Sequence, residues 1–537
     1  MTASVIETIG FRNKLRARWR AIPEDARLAI TVGTVVAIGI LLFFVDHSLG
    51  YAVLLAGVIY RIERLPTLQL RWAGMGALVV FLAILALAWS TPWSLVLLLA
   101  GIFAVVAIPA PQRSKVLPAA AVLAAVMYPF YLPKLFTLPI FGSWPDVATG
   151  VYMLVFMMMA VGLNIVVGYA GLLDLGYVAF YATGAYTAAW FASQQFSGQK
   201  CPTKGVSVEN CAQALVPKRE WSFGSVGVLR GTGGLHVSIW VLLILAGIIT
   251  SFFGIVIGLP TLRLRGDYLA IVTLGFGEIL PQVARNGDNF FNTGFNLTNG
   301  PNGITPLDSP GFGHGLSNLT GGVLPSNYLQ CCNAKVLGHQ IAGNPDVYYW
   351  TAIALLLFTV FCSFRLQFSR LGRAWIAIRE DETAAAAMGV PLMRTKTWAY
   401  ASGAFFGGIA GAFYAAFKSS TYPGDFYFNI SVFILCMVIL GGMGNIWGVL
   451  VVAAFLSYLN VFGLGETGHW INTHIHAGGW HPHIDAQLYQ TGIYGVIILI
   501  VMLFRPEGLI PSRRRAAELH EGVHDEPLYD VAHTGTE

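Results

Sequence analysis

Residues 162–176 read GLNIVVGYAGLLDLG, a stretch that is apolar enough for a membrane but too rich in glycine for an ordinary membrane helix. It holds four glycines and the polar side chains of Asn164 and Asp174. A second stretch of this kind, GGMGNIWG at 441–448, lies at a predicted inner turn and hints at internal duplication. Backbone that leaves the helix at membrane depth is tolerated only where protein or a water-filled cavity satisfies its polar groups. The first stretch therefore predicts a broken helix, which either lines a substrate path or forms a glycine-rich packing seam.

The composition of the chain indicates that this broken helix lies in a membrane. Of the 537 residues, 55% are hydrophobic and only 11% are charged, whereas a soluble domain carries about 25% charged residues. The net charge of +5 does not indicate a nucleic-acid partner, because the basic residues lie at the ends of apolar segments. We therefore predict an all-α, polytopic helical membrane protein with several short or broken helices.

Apolar stretches and basic residues together predict the topology. About fourteen stretches approach the length of roughly 20 residues that a helix needs to span the hydrocarbon layer. If the first residues lie inside, about 23 of the 32 Lys and Arg residues fall in inside loops, as the positive-inside rule requires. We therefore expect a multi-pass protein of the bacterial inner (plasma) membrane with both termini in the cytoplasm.

The same patterns divide the chain into four parts. They are a cytoplasmic basic N-terminus at 1–27, an N-terminal hydrophobic extension of about five membrane segments at 28–132, a core at 147–504 and a cytoplasmic disordered tail at 505–537. The core carries two outside insertions, near 194–236 and 286–346, and a cytoplasmic loop at 369–396.

Residues that could carry chemistry inside the membrane are few. The chain has no phosphate-binding G-x-x-x-x-G-K-[ST] loop and no catalytic constellation, so we predict neither an enzyme nor a cofactor. The acids within or beside apolar segments are mainly Asp174, Asp267 and Glu278. Asp174 and Asp267 lie close to predicted cytoplasmic ends, and only Glu278 could lie deep, although it precedes Pro281 near an outer end. Such acids either serve transport or cap helix ends and bond the neighbouring backbone.

The loop at 369–396 is the most informative polar segment. It begins SRLGRAWIAIREDETAAAAMGV and predicts one short helix outside the membrane, which Gly389 and Pro391 end. This helix is either an interfacial helix or one whose alanine face docks into a groove on another protein.

Two further clusters fall on the predicted outer side. Cys201, Cys211, Cys331 and Cys332 suggest disulfide bonds of open connectivity, with free or buried thiols as the alternative. Five histidines crowd into residues 469–483, where interleaved tryptophans favour an interfacial loop over a metal site. We therefore predict no metal.

The sequence also resembles a known family, the LivM-type membrane subunits of branched-chain amino acid ABC importers. The stretches that carry the resemblance are GLNIVVGYAGLLDLGYVAFYATGAYTAA (162–189), GLPTLRLRGDYLAIVTLGFGEI (258–279), NGPNGI (299–304), SRLGRAWIAIREDETAAAAMGV (369–390), SGAFFGGIAGAFYA (402–415), GGMGNIWG (441–448) and FRPEGLI (504–510). They follow the order of the family, and the first ~120 residues resemble an extra hydrophobic region of some members.

The resemblance implies a permease that imports branched-chain amino acids by alternating access and has no ATPase activity of its own. The implied partners are a second, homologous permease, two cytoplasmic ABC ATPase subunits, an external substrate-binding protein and membrane lipid. By the resemblance, the ATPase-coupling residues are Arg379, Glu380, Asp381, Glu382 and Gly389. We expect the translocation path at Asn164, Gly168, Gly171, Asp174 and Glu278.

Other functions stay open at this point. Urea and short-chain amide ABC importers use similar permeases, so the substrate is the least determined part of the interpretation. An ion-coupled secondary transporter would work without ATPases and would depend on Glu278. A membrane enzyme is disfavoured by the missing catalytic constellation.

Overall fold

The structure is a computed structural model that describes a little over half of the chain. The described residues are 110–131, 144–195, 220–225, 234–261, 267–289, 296–319, 325–328, 335–336, 339–340, 344–474, 485–505 and 508–510. The predicted basic N-terminus, most of the hydrophobic extension, the four outer cysteines, three of the five clustered histidines and the tail beyond residue 510 lie outside them.

The chain forms two compact units. In the first, residues 1–144 and 469–482, the structure describes helix α1, Ala110–Tyr131, and a few residues at the end of α13. The second unit, residues 145–468 and 483–537, holds the predicted core. Its helices are α2 (Val147–Leu163), α3 (Tyr177–Phe191), α4 (Ile239–Thr261), α5 (Asp267–Arg285), α6 (Gly313–Leu319), α7 (Asn344–Gln367), α8 (Arg370–Glu380), α9 (Glu382–Ala387), α10 (Leu392–Lys418), α11 (Phe428–Gly441), α12 (Ile446–Tyr458), α13 (Leu464–His474) and α14 (Gln490–Phe504).

The described residues confirm an all-α polytopic membrane protein. Five helices are long and apolar enough to cross a membrane: Val147–Tyr169, Ile239–Pro260, Pro345–Gln367, Pro423–Gly441 and Ile446–Thr473. The first and last of them contain π-helical turns, at Asn164–Tyr169 and Leu459–Gly463. The five short strands, the only strands among the described residues, are β1 (Ala192–Ser193), β2 (Glu220–Phe223), β3 (Gly234–Val237), β4 (Lys335–Val336) and β5 (His339–Gln340).

Two short α-helices of the core, α3 and α11, are called the half-helices here. α3 has 15 residues and at 1.5 Å per residue does not reach ~30 Å. α11 has 14 residues and reaches the length of a span only together with the 3₁₀ turn before it, as Pro423–Gly441. The first turn of α3 lies beside the middle of α10, since the Tyr177 hydroxyl donates to the Gly403 carbonyl over 3.0 Å. The Val178 amide donates to Ser431 Oγ in the first turn of α11 over 2.8 Å. The two half-helices therefore begin at a common point inside the core.

Glycines hold α3, α10 and α4 at backbone contact. A methyl group at Gly184 would overlap the Gly408 carbonyl oxygen, and one at Gly411 would overlap the Tyr181 carbonyl oxygen. Gly254 leaves only 2.7 Å between an added Cβ and the Ala404 side chain. Small residues serve this purpose in membranes, where helices gain no hydrophobic stabilisation by leaving lipid.

The predicted insertions pack against the end of the core opposite the 369–396 loop. β1 pairs antiparallel with β3, and β2 pairs parallel with β3. On β3, the buried His236 Nδ1 lies 2.8 Å from the equally buried Asp308 Oδ2. The Ile304 amide donates to the Thr421 carbonyl, so the NGPNGI segment joins the loop that follows α10.

Alanine at the seam glycines tests this packing. We expect Gly184→Ala and Gly411→Ala each to destabilise the protein by about 1–3 kcal/mol, because the added methyl group displaces backbone. Gly495→Ala in α14 is the matched control: an added Cβ there meets nothing within 4 Å, so helix propensity alone should add ~0.5–1 kcal/mol. The melting temperature in detergent measures all three, and equal melting temperatures would contradict the seam.

Candidate translocation and coupling site

The 369–396 loop folds into two helices, α8 and α9, where the sequence predicted one. Asp381 interrupts the helix with extended backbone (φ −152°, ψ 111°). Its Oδ1 accepts hydrogen bonds from the amides of Thr383 and Ala384, over 2.8 and 3.0 Å. Aspartate is among the best residues for capping a helix start, and here this preference outweighs continuation of α8. The single predicted helix is therefore wrong, although its predicted stop at Gly389 (φ +83°) is confirmed.

The cap also fixes the charge at this break. Hydrogen bonds from the Thr383 hydroxyl, then from the Ala384 and Thr383 amides, lower the pKa of Asp381 below its ordinary value. Because the folded pKa is the lower one, the cap is charged at neutral pH. Its contribution is lost only when the pH falls through that lowered pKa.

Buried contacts anchor α8 and α9 to the core. The Trp375 indole, fully buried, donates from Nε1 to the Thr395 carbonyl at the start of α10 over 2.8 Å. Lys396 Nζ lies 2.7 Å from Glu382 Oε1, with 6% of the lysine side chain and 40% of the glutamate side chain exposed. Glu382 thus holds α9 against α10.

The described residues leave the outer surface of α8 and α9 exposed. Glu380, Asp381, Ala386 and Ala387 are exposed, and Met388 is 85% exposed. Ala386, Ala387 and Met388 therefore form a small exposed apolar surface beside two acids. The helices that carry this surface, α8 and α9, are anchored to the core.

Arg379 extends in the other direction, into the core. Its Nη1 donates to the carbonyl of Gly168, the fifth residue of the π-helical turn that ends α2. A Cβ at Gly171 (φ +69°) would lie 2.7 Å from Arg379 Cγ. The structure thus joins a predicted coupling residue to two residues predicted for the translocation path.

Asn164 and the 442–445 turn complete this junction. Asn164 is buried, and its Oδ1 accepts a hydrogen bond from the Gly444 amide over 3.0 Å. A Cβ at Gly168 would overlap Asn164 Oδ1 and approach the Gly444 nitrogen to 2.7 Å. We call Asn164, Gly168, Gly171, Arg379 and Gly444 the inner junction.

Asp174 lies apart from the inner junction, where the half-helices begin. It is 1% exposed, and its Oδ1 accepts a hydrogen bond from the Gly176 amide over 2.8 Å. Its Oδ2 has no hydrogen-bond partner among the described residues. The Leu175 amide donates to Thr273 Oγ1 on α5 over 3.1 Å. Asp174 therefore stabilises the turn before α3 without capping the helix, and only one of its carboxylate oxygens has a hydrogen-bond partner among the described residues.

Glu278 occupies a different environment on α5. One face of this helix packs on the core: Thr273 is 2% exposed, and a Cβ at Gly277 would lie 3.4 Å from the Gly176 Cα. Glu278 lies on the opposite face with Gln282, both exposed, beside Ile271 and Ile279, which are 63% and 56% exposed. The uncovered face of α5 is therefore partly polar.

α4 provides a direct comparison, since it also has an uncovered face. Its exposed large side chains are all apolar, namely Val241, Ile244, Ile248, Phe252, Phe253, Val256 and Leu259. Lipid covers such a surface without cost, whereas a carboxylate facing the lipid centre costs about 2.5–3.5 kcal/mol or more. The exposed face of α5 therefore differs from that of α4 in carrying the polar side chains of Glu278 and Gln282.

Sequence reasoning found only part of this site. It named Asn164, Gly168 and Arg379, but it did not pair them, and it missed Thr273 and Ser431 altogether. Both hydroxyls serve backbone amides of the α2–α3 break, and a lone hydroxyl on an apolar helix gives no signal of that role. Among the described residues, no group of three or more His, Cys, Asp or Glu could hold a metal ion.

Comparisons with known proteins agree with this architecture. The family model described as branched-chain amino acid transport system / permease component matches residues 147–503. The high-affinity branched-chain amino acid transport system permease protein LivM of Salmonella typhimurium is 31% identical over 411 residues, 76% of this chain and 78% of that protein. The Escherichia coli protein of the same name is 30% identical over 412 residues, again 76% of this chain and 78% of that protein.

An archaeal relative is more distant. The probable branched-chain amino acid transport permease protein LivM of Methanocaldococcus jannaschii is 26% identical over 279 residues, 51% of this chain and 69% of that protein. No solved structure matches the chain. With residues 147–503 matched, the chain belongs to the family of branched-chain amino acid transport system permease components.

Proposed function

We propose that this protein is the transmembrane permease subunit of an ATP-driven importer of branched-chain amino acids. It works by alternating access with a second, homologous permease, two cytoplasmic ATPase subunits and an external substrate-binding protein. The observation that carries the proposal is the uncovered, anchored surface of α8 and α9, on a chain whose sequence has no nucleotide-binding loop of its own. Such a surface suits a helix that docks into a groove on a partner.

In this proposal Glu380, Asp381 and Gly389 meet an ATPase subunit, while Arg379 and Glu382 connect that contact to the core. Buried anchors on Trp375 and Lys396 stiffen the segment. Because a stiff element transmits displacement instead of absorbing it, closure of the ATPases would move the permease helices.

The translocation path has two parts. Asn164, Gly168 and Gly171 close its inner end, where the inner junction leaves no room for an added methyl group. Asp174 lies where α3 and α11 begin, and Glu278 lies on the wall that α5 provides. Discontinuous helices inside the membrane are typical of transport paths.

The setting follows from the same reasoning. The arginines and lysine of the 369–396 loop favour the cytoplasmic side, which places both ends of the chain inside a bacterial inner membrane. Lipid covers the apolar face of α4. No cofactor, nucleic acid or covalent chemistry takes part in this function.

Two alternatives make different predictions. A urea or short-chain amide importer would keep every partner but would transport neutral amides in place of leucine. An ion-coupled carrier would transport in proteoliposomes without ATPases and would lose activity in Glu278→Gln. Leucine uptake that requires ATP, the ATPases and the binding protein excludes both.

The coupling contact is tested by a pair of substitutions, Glu380→Lys with Asp381→Asn. Asparagine keeps the cap of α9 and removes the charge, so the segment should fold while its acidic surface is reversed. We expect co-purification of the ATPase subunits to fall roughly tenfold, with normal membrane insertion. Asp485→Asn is the matched control, because Asp485 is an exposed aspartate that accepts from the Gln487 amide over 3.2 Å. Normal co-purification and transport in the double variant would refute the contact.

The path is tested by the reactivity of single cysteines in a background without native cysteines. Glu278→Cys and Gln282→Cys should react with a charged, membrane-impermeant thiol reagent, because their face of α5 meets water in the path. Ile248→Cys and Phe252→Cys on α4, which are 56% and 62% exposed in the native residues, should stay unreactive in lipid. Equal reactivity on the two helices would remove α5 from the path wall.

A further inference from the structure

We call α8 and α9 the coupling segment. Within it, Arg379 differs from its neighbours by the direction of its side chain. Glu380 and Asp381 are exposed, whereas Arg379 is half-buried and donates to the Gly168 carbonyl at the end of α2. Its aliphatic stem runs along Gly171, where an added Cβ would come within 2.7 Å of Cγ and 3.1 Å of Cβ. Both the charged group and the stem of Arg379 therefore contact the broken helix.

The electrostatics of this contact are favourable. Gly168 lies in the π-helical turn that ends α2, where backbone carbonyls lack partners further along the helix. The partial negative charge at a helix C-terminus favours a cation there. A guanidinium is always charged and offers several donors, so it can hold this end through one fixed side chain.

The contact also includes the 442–445 turn. A Cβ at Gly444 would lie 3.2 Å from both Arg379 Nη1 and the Gly168 carbonyl oxygen. The Gly444 amide in turn donates to Asn164 Oδ1. The end of α8, the end of α2 and the turn before α12 therefore meet without space for one further carbon atom, so that displacement of any one of them must move the others.

We propose that Arg379 is a positioning residue that transmits movement of the coupling segment to the broken helix and does not itself bind the ATPase. The inference rests on the proposed function, because it takes α8 and α9 as the ATPase contact. It separates two roles within one segment: Glu380 and Asp381 hold the partner, and Arg379 carries the displacement inward.

The test uses the complete importer in proteoliposomes, assembled with the ATPase subunits and binding protein of the same system. Arg379→Lys keeps the charge and most of the stem but loses the planar group that reaches Gly168. We expect the complex to keep its ATPases and its ATP hydrolysis within about twofold, while leucine transported per ATP falls on the order of tenfold. A residue that only stabilised the fold would lower assembly and hydrolysis together.

Arg365→Lys is the matched control. Arg365 lies on α7 outside the coupling segment, is exposed, and stacks on Phe361 of its own helix at 5.4 Å. Its variant should match the wild-type complex in assembly, hydrolysis and transport.

For Asn164→Ala we also expect retained ATPases and ATP hydrolysis with less leucine transported per ATP. This variant alters the inner junction without changing the coupling segment. Since Asn164 and Arg379 act on one junction, the double variant should lose much less than the product of the two single losses. If Arg379→Lys does not accumulate in the membrane, Arg379→Gln, which also loses the planar guanidinium, is assembled and measured in its place.

Three results would overturn the inference: wild-type transport per ATP in Arg379→Lys, loss of the ATPases from that complex, or multiplicative losses in the double variant. Failure of the proposed function has a different signature. In that case the wild-type chain itself would bind no ATPase, or leucine uptake would be independent of ATP.

Discussion

Where a membrane helix breaks off, its last carbonyls and the first amides of the next helix need new partners, and the core is arranged around one such break. Between α2 and α3, the Gly168 carbonyl accepts from Arg379, the Leu175 amide donates to Thr273, and the Val178 amide donates to Ser431. These partners belong to α8, α5 and α11. The requirement to satisfy a few polar groups therefore sets the positions of three other helices.

Close approach is the second consequence of the break. Tyr177, at the start of α3, donates to the Gly403 carbonyl on α10, and the two helices then run in contact through Gly184 and Gly411. Any side chain at these glycines would separate the two helices and move the Tyr177 hydroxyl away from the Gly403 carbonyl. The small residues of the SGAFFGGIAGAFYA motif thus stabilise the broken helix, because they let α3 pack closely against α10.

The sequence was sufficient for features that depend on neighbours along the chain. Apolar length predicted the five long apolar helices among the described residues, the glycines of 162–176 predicted the break after α2, and Gly389 predicted the end of α9. It failed where two local preferences competed, as at Asp381, whose capping divided the expected helix. It also could not pair Gly168 with Arg379, 211 residues away, because neither residue type specifies a partner at that distance.

Asp174 and Glu278 show how far the environment decides the role of a carboxylate. Asp174 is enclosed, and its Oδ1 accepts from the Gly176 amide, so it stabilises the turn that precedes α3. Glu278 is exposed on a partly polar face of α5, and in the proposed path wall its carboxylate would border water. Gly176 and Thr273 are in contact between the two acids, and Gly176 is only eight residues beyond Gly168. The wall of α5 and the end that Arg379 holds are therefore linked by one short, packed segment, and a shift of that segment would displace both.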